Sequence, residues 1–288
     1  MTNDTTKVAI ITGGTSGCGL AVGRALAEHP EWKVYLLGTN EQKGQEAVKD
    51  IPRAFFCKAN VTNYDALAST FHKVFAEQGR LDFAFANAGK FGMENDFYKQ
   101  PPAGEMPPKP DLGLIDINVT SVIWTTYLAL HYFRQSPKDG TSQRNLIITG
   151  SANSLYQSEL NPVYAATKHA LVGLTRSIAK PFHNEDIRVN ILAPGLMKTS
   201  ILSDELYSLL PADLLLPVEH FVNVTLDVLS GNDMVDTKGT RVSGSQLFGR
   251  TLEITDNKYY FREQEGFSDE FMKRSIGLTD LSLGLPRC

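Results

Sequence analysis

The sequence predicts one α/β domain built on a doubly wound parallel sheet of about seven strands, with helices on both faces. Three observations carry this expectation. Short apolar runs alternate with longer amphipathic ones along most of the chain. The first apolar run ends in a glycine-rich turn that leads into a helix-like segment. With 288 residues the chain can bury a full core, and no linker or internal repeat divides it, so residues 1–288 are expected as a single domain.

The elements follow in order. Lys7–Thr12 is a buried strand, and Gly19–Glu28 the helix after it. Trp32–Leu37 is a strand, Glu41–Val48 a helix, and Ala54–Cys57 a third strand. Tyr64–Gln78 places Leu67, Phe71, Val74 and Phe75 on one helical face, and Leu81–Ala86 is strand four. Asp111–Phe133 is helical in pattern, Asn145–Thr149 is strand five, and Pro162–Ala179 is a helix that begins at a proline. Ile187–Leu192, a helix over Pro217–Ser230 and Thr251–Thr255 complete the series. Apolar strands separated by helices imply a parallel sheet, and right-handed crossovers give it the Rossmann arrangement. Three stretches break the rhythm: a Pro- and Gly-rich loop over Lys90–Lys109, an apolar segment over Thr199–Leu216, and an aromatic, charged tail after Asp256.

Composition narrows the function classes. A net charge of −4 with no basic stripe argues against nucleic acid. Met1–Thr6 is polar, no apolar run is expected to span a bilayer, and Pro286-Arg287-Cys288 fits neither a prenylation box nor a peroxisomal address. Cys18, Cys57 and Cys288 are scattered, which points to a reducing, cytoplasmic setting without disulfides. None of them, and none of the six histidines, has metal-ligand spacing, so no metal is expected.

The turn Thr12-Gly-Gly-Thr-Ser-Gly-Cys-Gly19 sits between the first strand and the first helix. Glycines let backbone approach a ligand closely, and a helix N-terminus presents free N–H groups to a pyrophosphate. The spacing of Gly13, Gly17 and Gly19 is wider than G-x-G-x-x-G, and a glycine turn that binds nothing would look the same. Tyr164 and Lys168 lie four residues apart, on one face of a helix. A phenol ionises near pH ~10, and a neighbouring ammonium lowers that value, which makes the pair an acid/base candidate. Ser151 follows strand five directly, at the carboxyl end of the sheet where such folds bind ligands. Its hydroxyl can hydrogen-bond a substrate oxygen there. Asn118 is a polar residue inside an apolar helical pattern, equally consistent with a hydrogen bond that stabilises a kink.

Taken together, Thr12-Gly-x-x-x-Gly-x-Gly19, Asn87-Ala-Gly89, Asn118, Ser151, Tyr164-x-x-x-Lys168 and Pro194-Gly195-x-x-x-Thr199 resemble the short-chain dehydrogenases/reductases. The length, the Pro-rich loop and the Tyr-Tyr-Phe-Arg tail resemble a subgroup similar to 15-hydroxyprostaglandin dehydrogenase, with relatives in fungal natural-product pathways. The resemblance implies a tetrad of Asn118, Ser151, Tyr164 and Lys168, acting between a secondary alcohol and a ketone. It implies that Lys168 also holds the nicotinamide ribose, that Asn118 positions a water, that Asn87 supports the sheet beside the cofactor and that Thr199 meets the carboxamide. Gly13, Thr15, Ser16, Gly17, Cys18, Gly19, Thr39, Asn40, Asn60, Val61, Ala88, Gly89, Pro194 and Gly195 would line the rest of the dinucleotide. Residues 7–89 would then mainly bind cofactor, 90–113 and 196–216 would form the substrate mouth, and 256–288 the tail.

The chain departs from the family pattern in informative places. After strand two stand Gly38-Thr39-Asn40, with neither the acid that favours NAD nor a base that favours NADP. With no repelling carboxylate, Thr39, Asn40 and Lys43 could bond a phosphate, so NADP(H) is favoured slightly over NAD(H). Asn60 stands where the family usually has Asp, and Ala86 where it usually has Asn. The mouth would carry Phe91, Met93, Phe97, Leu155, Tyr156, Leu196, Met197, Ile201, Leu202 and Leu206, which suits a lipophilic small molecule. Pairing through the helices over Asp111–Phe133 and Pro162–Ala179 would give a homodimer or homotetramer. Two other readings stay open: a non-redox isomerase or cyclase using Tyr164 as acid/base, and a non-catalytic dinucleotide-binding regulator.

Overall fold

Val8, Ala9, Ile10 and Ile11 are all buried in β1 (Lys7–Thr12), as an unbroken apolar run demands of a central parallel strand. The computed structural model describes residues 6–92, 96–138, 143–199, 201 and 204–283. Side chains alternate along β1, so Val8 and Ile10 enter the core on one face while Ala9 and Ile11 enter the core on the other. The chain continues through α1 (Gly17–Glu28), β2 (Trp32–Gly38), α2 (Glu41–Val48), β3 (Ala54–Lys58), α3 (Tyr64–Gln78) and β4 (Phe83–Ala86). Next come α4 (Gly113–Ile115), α5 (Ser121–Gln135), β5 (Arg144–Thr149), α6 (Pro162–His183), β6 (Ile187–Pro194), α7 (Asp204–Ser208) and α8 (Val218–Ser230). A short hairpin of β7 (Met234–Val235) and β8 (Arg241–Val242) precedes β9 (Thr251–Thr255), β10 (Lys258–Phe261) and α9 (Glu270–Gly277).

The main sheet has eight strands in the order β10-β9-β6-β5-β4-β1-β2-β3. The order reverses at β1, which opens a crevice at the carboxyl ends of β1 and β4. On one face α3, α5 and α6 pack Phe71, Phe133 and Leu171 against Ile10, Ala84 and Ile148. On the other, α1 and α8 pack Val22 and Phe221 against Ile11, Leu36 and Phe85.

The seven parallel strands are those the pattern predicts. The eighth, antiparallel strand lies in the stretch read as a tail. Its residues Tyr259 and Tyr260 are only half-buried at the sheet edge, so no buried-strand pattern marks it. The pair Asp256-Asn257 between Thr255 and Lys258 is the two-residue turn that joins it to β9.

The helix expected over Asp111–Phe133 begins at Gly113 and runs to Gln135, with a π-helical turn at Asp116–Thr120. Gly113–Gln135 is the one described helix long and apolar enough to cross a bilayer, yet α5 packs on α3, β4 and β5 within the domain, so it marks no clear membrane span. Helix α6 continues past Ala179 to His183, with Pro181 in its last turn. Lys90–Lys109 is irregular where described, apart from a 3-10 turn at Asp96–Tyr98. The stretch from Thr199 to Leu216 contains α7 and a 3-10 turn, and is closed by a bridge between Met197 and Leu216.

Candidate active site

Gly13 adopts φ +62°, and a Cβ there would stand 2.9 Å from the Ala88 Cα. At Gly19 a Cβ would lie 2.4 Å from the Gly13 carbonyl oxygen. The turn can therefore fold back on itself only without side chains at these positions. It delivers the chain to α1 with Ser16 at the N-cap, and the Ser16 side chain makes no capping bond there. The next two long helices differ: Asn40 accepts from Lys43 N at the start of α2, and Asn63 accepts from Ala66 N at the start of α3. No acid occupies the first turn of α1 either, so its N–H groups and positive dipole end are open to an anion.

A cleft of about 1330 Å³ opens over this turn. Gly13, Thr15, Ser16, Gly17 and Cys18 form its floor, and Thr39, Asn60, Val61, Asn87, Ala88 and Gly89 one wall. Ser151, Tyr164, Lys168, Pro194, Gly195 and Thr199 form another part of the lining. Asn87 ties the strands together beneath it. Its Nδ2 donates to Thr12 O (3.1 Å) and Gly13 O (3.3 Å), and its Oδ1 accepts from the Thr149 hydroxyl (3.1 Å).

Four expected residues stand elsewhere. Gly19 does not line the cleft; it packs behind the turn, against Gly13 and Asn87. Asn40 is not in the lining because its side chain is spent on capping α2, and Lys43 is likewise outside it. Asn118 is fully buried behind the lining. Its Oδ1 accepts from Lys90 N and its Nδ2 donates to Lys90 O, both at 2.9 Å. Asn118 sits in the π-helical turn, so the kink and the polar residue occur together. Its Nδ2 also donates to Thr167 Oγ1 (3.3 Å), and that hydroxyl donates to the Tyr164 carbonyl. The asparagine thus links the loop after β4 to the helix carrying Tyr164.

Ser151 caps a 3-10 turn over Ala152–Ser154, accepting from Asn153 N (3.2 Å) while its own N–H donates to Ser154 Oγ (3.1 Å). Its side chain also acts on the Tyr164 phenol, which lines the same cleft. Burial pushes that phenol above its ordinary range, and the Ser151 hydrogen bond pulls it back down. The pull was expected from the Lys168 ammonium. Instead Lys168 Nζ donates to Thr149 O at 3.0 Å and lies 5.8 Å from the Tyr164 ring centroid. Burial lowers the Lys168 ammonium to about 8.

Of the expected mouth residues, Phe91, Leu196, Met197 and Ile201 line the cleft, whereas Phe97, Leu155, Tyr156 and Leu206 do not. Met93 and Leu202 lie outside the described residues. Leu114, Asp116 and Ile117 line it unforeseen, carried there by the start of the kinked helix, and Asp111 lines it from the expected mouth segment. Tyr207 was also missed. Its buried hydroxyl donates to Met197 O (2.7 Å) and accepts from Thr199 N (3.1 Å), pinning the Pro194–Thr199 loop. A lone tyrosine in so short a helix gives no sequence signal for that role.

A family model described as "short chain dehydrogenase" matches residues 7–207. The short-chain dehydrogenase/reductase prx7 of Penicillium rubens is 39% identical over 271 residues, covering 91% of this chain and 95% of that protein. The 15-hydroxyprostaglandin dehydrogenase [NAD(+)] of Rattus norvegicus is 33% identical over 204 residues, covering 68% of this chain and 70% of that one. A short-chain dehydrogenase from Burkholderia cenocepacia, solved in complex with NADP, superposes with a TM-score of 0.69 at 22% identity, over 88% of this chain and 98% of that one. The chain belongs to the short-chain dehydrogenases/reductases and is an oxidoreductase of that family.

Proposed function

We propose that the protein interconverts a secondary alcohol and a ketone on a lipophilic small molecule, with Asn118, Ser151, Tyr164 and Lys168 as its tetrad. The observation that carries this is that Ser151 and Tyr164 line one cleft with a buried lysine, at the carboxyl end of the sheet and beside the uncapped helix α1. The residues fit a nicotinamide dinucleotide: the Cβ-free turn and the open N-terminus of α1 make a cradle for its diphosphate. When bound, that cofactor supplies or accepts the hydride.

Tyr164 gives its phenolic proton to a ketone oxygen, or takes one from a carbinol. Ser151 hydrogen-bonds the same oxygen and steadies the charge that develops on it. Lys168, anchored on Thr149 O, keeps a positive charge in the cleft at neutral pH and holds the ribose. Asn118 fixes the position of the Tyr164 helix against Lys90. Phe91, whose ring centroid is 5.0 Å from that of Tyr164, and Leu196, Met197 and Ile201 exclude water and receive an apolar substrate. The subgroup resemblance favours a substrate from natural-product biosynthesis.

NADP(H) is the preferred form in this reading, because Thr39 lines the cleft where a carboxylate would repel the 2′-phosphate. Thr39→Asp should move the ratio of NADPH to NADH affinity at least tenfold toward NADH, and an unchanged ratio would place the ribose elsewhere. Cys18 and Cys57 are free thiols, which suits the cytoplasm. Exposed Ile123 and Tyr127 on α5 offer a face for a homodimer or homotetramer, testable by mass in solution.

The deciding experiment titrates the protein with all four nicotinamide forms and then screens carbonyl substrates by cofactor absorbance. One cofactor oxidised per product supports the proposal. Product without net cofactor change would favour the isomerase or cyclase, and cofactor binding without turnover across a broad panel the regulator.

A further inference from the structure

Glu253 interrupts the apolar strand β9, and only 8% of it is exposed. Leu252 and Ile254 join the core on one face, so the two-residue period turns Glu253 to the other. A carboxylate buried there is costly unless it is fully partnered. Two other segments supply the partners. The Tyr156 hydroxyl donates to Glu253 Oε1 at 2.9 Å. Arg262 Nη1 bonds Glu253 Oε2 and also donates to the Tyr156 hydroxyl at 2.8 Å. The guanidinium lies over the Tyr156 ring, 5.5 Å from its centroid. Arg262 N donates to Thr251 O (2.8 Å), and Arg262 O accepts from Arg176 of α6 (3.3 Å). Each of the three polar side chains therefore holds the other two.

Their position gives this cluster a consequence for the cleft. Ser151 and Tyr156 are the two ends of one stitched turn: Ser154 N donates to Ser151 O (2.8 Å), and Leu155 N and Tyr156 N both donate to Ala152 O (3.0 Å). Glu253 pairs with Ala193 in the sheet, the residue before Pro194-Gly195. None of Tyr156, Glu253 and Arg262 lines the cleft, whereas Ala152, Asn153, Pro194 and Gly195 do. The cluster stands behind two segments of the lining and joins them.

We propose that Tyr156, Glu253 and Arg262 are positioning residues: through the Tyr156 hydroxyl, the Glu253 carboxylate holds the Ser151 turn at the end of the sheet, in the place that keeps Ser151 on the Tyr164 phenol. Arg262 neutralises the buried carboxylate and braces the tyrosine ring. The inference rests on the reading of Tyr164 as the acid/base. A pair that served folding alone would change stability and leave turnover of the folded enzyme intact.

The test is reduction of phenanthrenequinone by NADPH or NADH, whichever binds tighter, for Tyr156→Phe, Ser151→Ala and the double variant. Melting temperatures and cofactor KM are measured alongside. Tyr156→Phe keeps the ring and the Arg262–Glu253 pair, so cofactor KM should hold and Tm should fall only by the loss of one hydrogen bond, while kcat of the folded enzyme falls about tenfold, or ~1.4 kcal/mol. In the Ser151→Ala background the same change should cost less than about twofold, because residues that act through one another are not additive. Glu253→Gln keeps an acceptor for the tyrosine and should retain more activity than Glu253→Leu; if the leucine variant does not fold, Tyr156→Phe decides. An unchanged kcat in Tyr156→Phe, or an equal loss in both backgrounds, overturns the clamp. Full turnover in Tyr164→Phe would instead overturn the acid/base reading beneath it.

Discussion

Two buried cations stand at opposite ends of the same sheet, and they are built in opposite ways. Arg80, before β4 at the amino edge, is 7% exposed and makes a bidentate pair with Asp82, with Nε and Nη2 each 2.8 Å from a carboxylate oxygen. Asp82 also accepts from Val8 N at 2.8 Å, so this cluster locks β1 to β4. Lys168, at the carboxyl edge, is 5% exposed and bonds the neutral carbonyl of Thr149. No carboxylate pairs with it among the described residues. Equal burial with opposite pairing separates a charge that holds the fold from one that remains available for chemistry.

The comparison can be broken from either side. The largest effect is expected at Lys168→Met, which should cut turnover by about 10²–10⁴. The same change removes an unpaired buried charge and should raise Tm, by roughly 2–4 °C per kcal/mol relieved. Burial lowers the folded-state ionisation of Lys168 from 10.5 to about 8, so the native and unfolded states are both protonated below pH 8 and the burial cost is fully present there. Between about 8 and 10.5 the native state binds fewer protons, and stability rises with pH. The gain from Lys168→Met should accordingly be greatest below pH 8. A calorimetric series over this range checks the trend, and a lower Tm would show that the ammonium stabilises the fold.

At the other end, Asp82→Ala removes the bidentate partner of the buried Arg80 guanidinium and the acceptor for Val8 N, and should cost about 1–3 kcal/mol of stability. Denaturant unfolding measures the loss, while kcat/KM per folded molecule should stay close to that of the parent enzyme. A smaller effect is expected in the pH profile. In the proposed mechanism alcohol oxidation uses the Tyr164 phenolate, so its rate should rise with pH through the apparent ionisation of the Tyr164–Lys168 pair, while ketone reduction should fall. The Ser151 hydrogen bond lowers the phenol, so Ser151→Ala should move the oxidation profile to higher pH. A profile that stays in place would remove Ser151 from control of the phenol.

What the sequence displays tracks how local each feature is. The seven parallel strands are short, apolar and flanked by turns, so periodicity exposes them. The Gly13–Gly19 turn and the Tyr164–Lys168 spacing are equally local, and both reach the cleft apart from Gly14, which packs on Leu36, and Gly19, which supports the turn from behind. Asn118 is locally visible as a polar residue in an apolar helix, but its bond to Lys90 joins residues 28 apart. Asn40 looks like a cofactor ligand and is a helix cap, because an asparagine before a helix suits both tasks. Tyr207, Tyr156 and Glu253 make their contacts through irregular loops or across the sheet edge, where no period links partners 97 residues apart. The tail strand β10 was hidden by its half-exposed tyrosines.

The most direct test of the central claim compares Tyr164→Phe with the parent enzyme in cofactor affinity and in turnover of a carbonyl substrate. The phenyl ring preserves the packing against Phe91 and removes only the hydroxyl that Ser151 contacts. The expected result is a dinucleotide affinity within about threefold of the parent and a turnover lower by at least ~100-fold. Near-parental turnover in Tyr164→Phe, or a parent enzyme that binds none of the four nicotinamide forms, would contradict it.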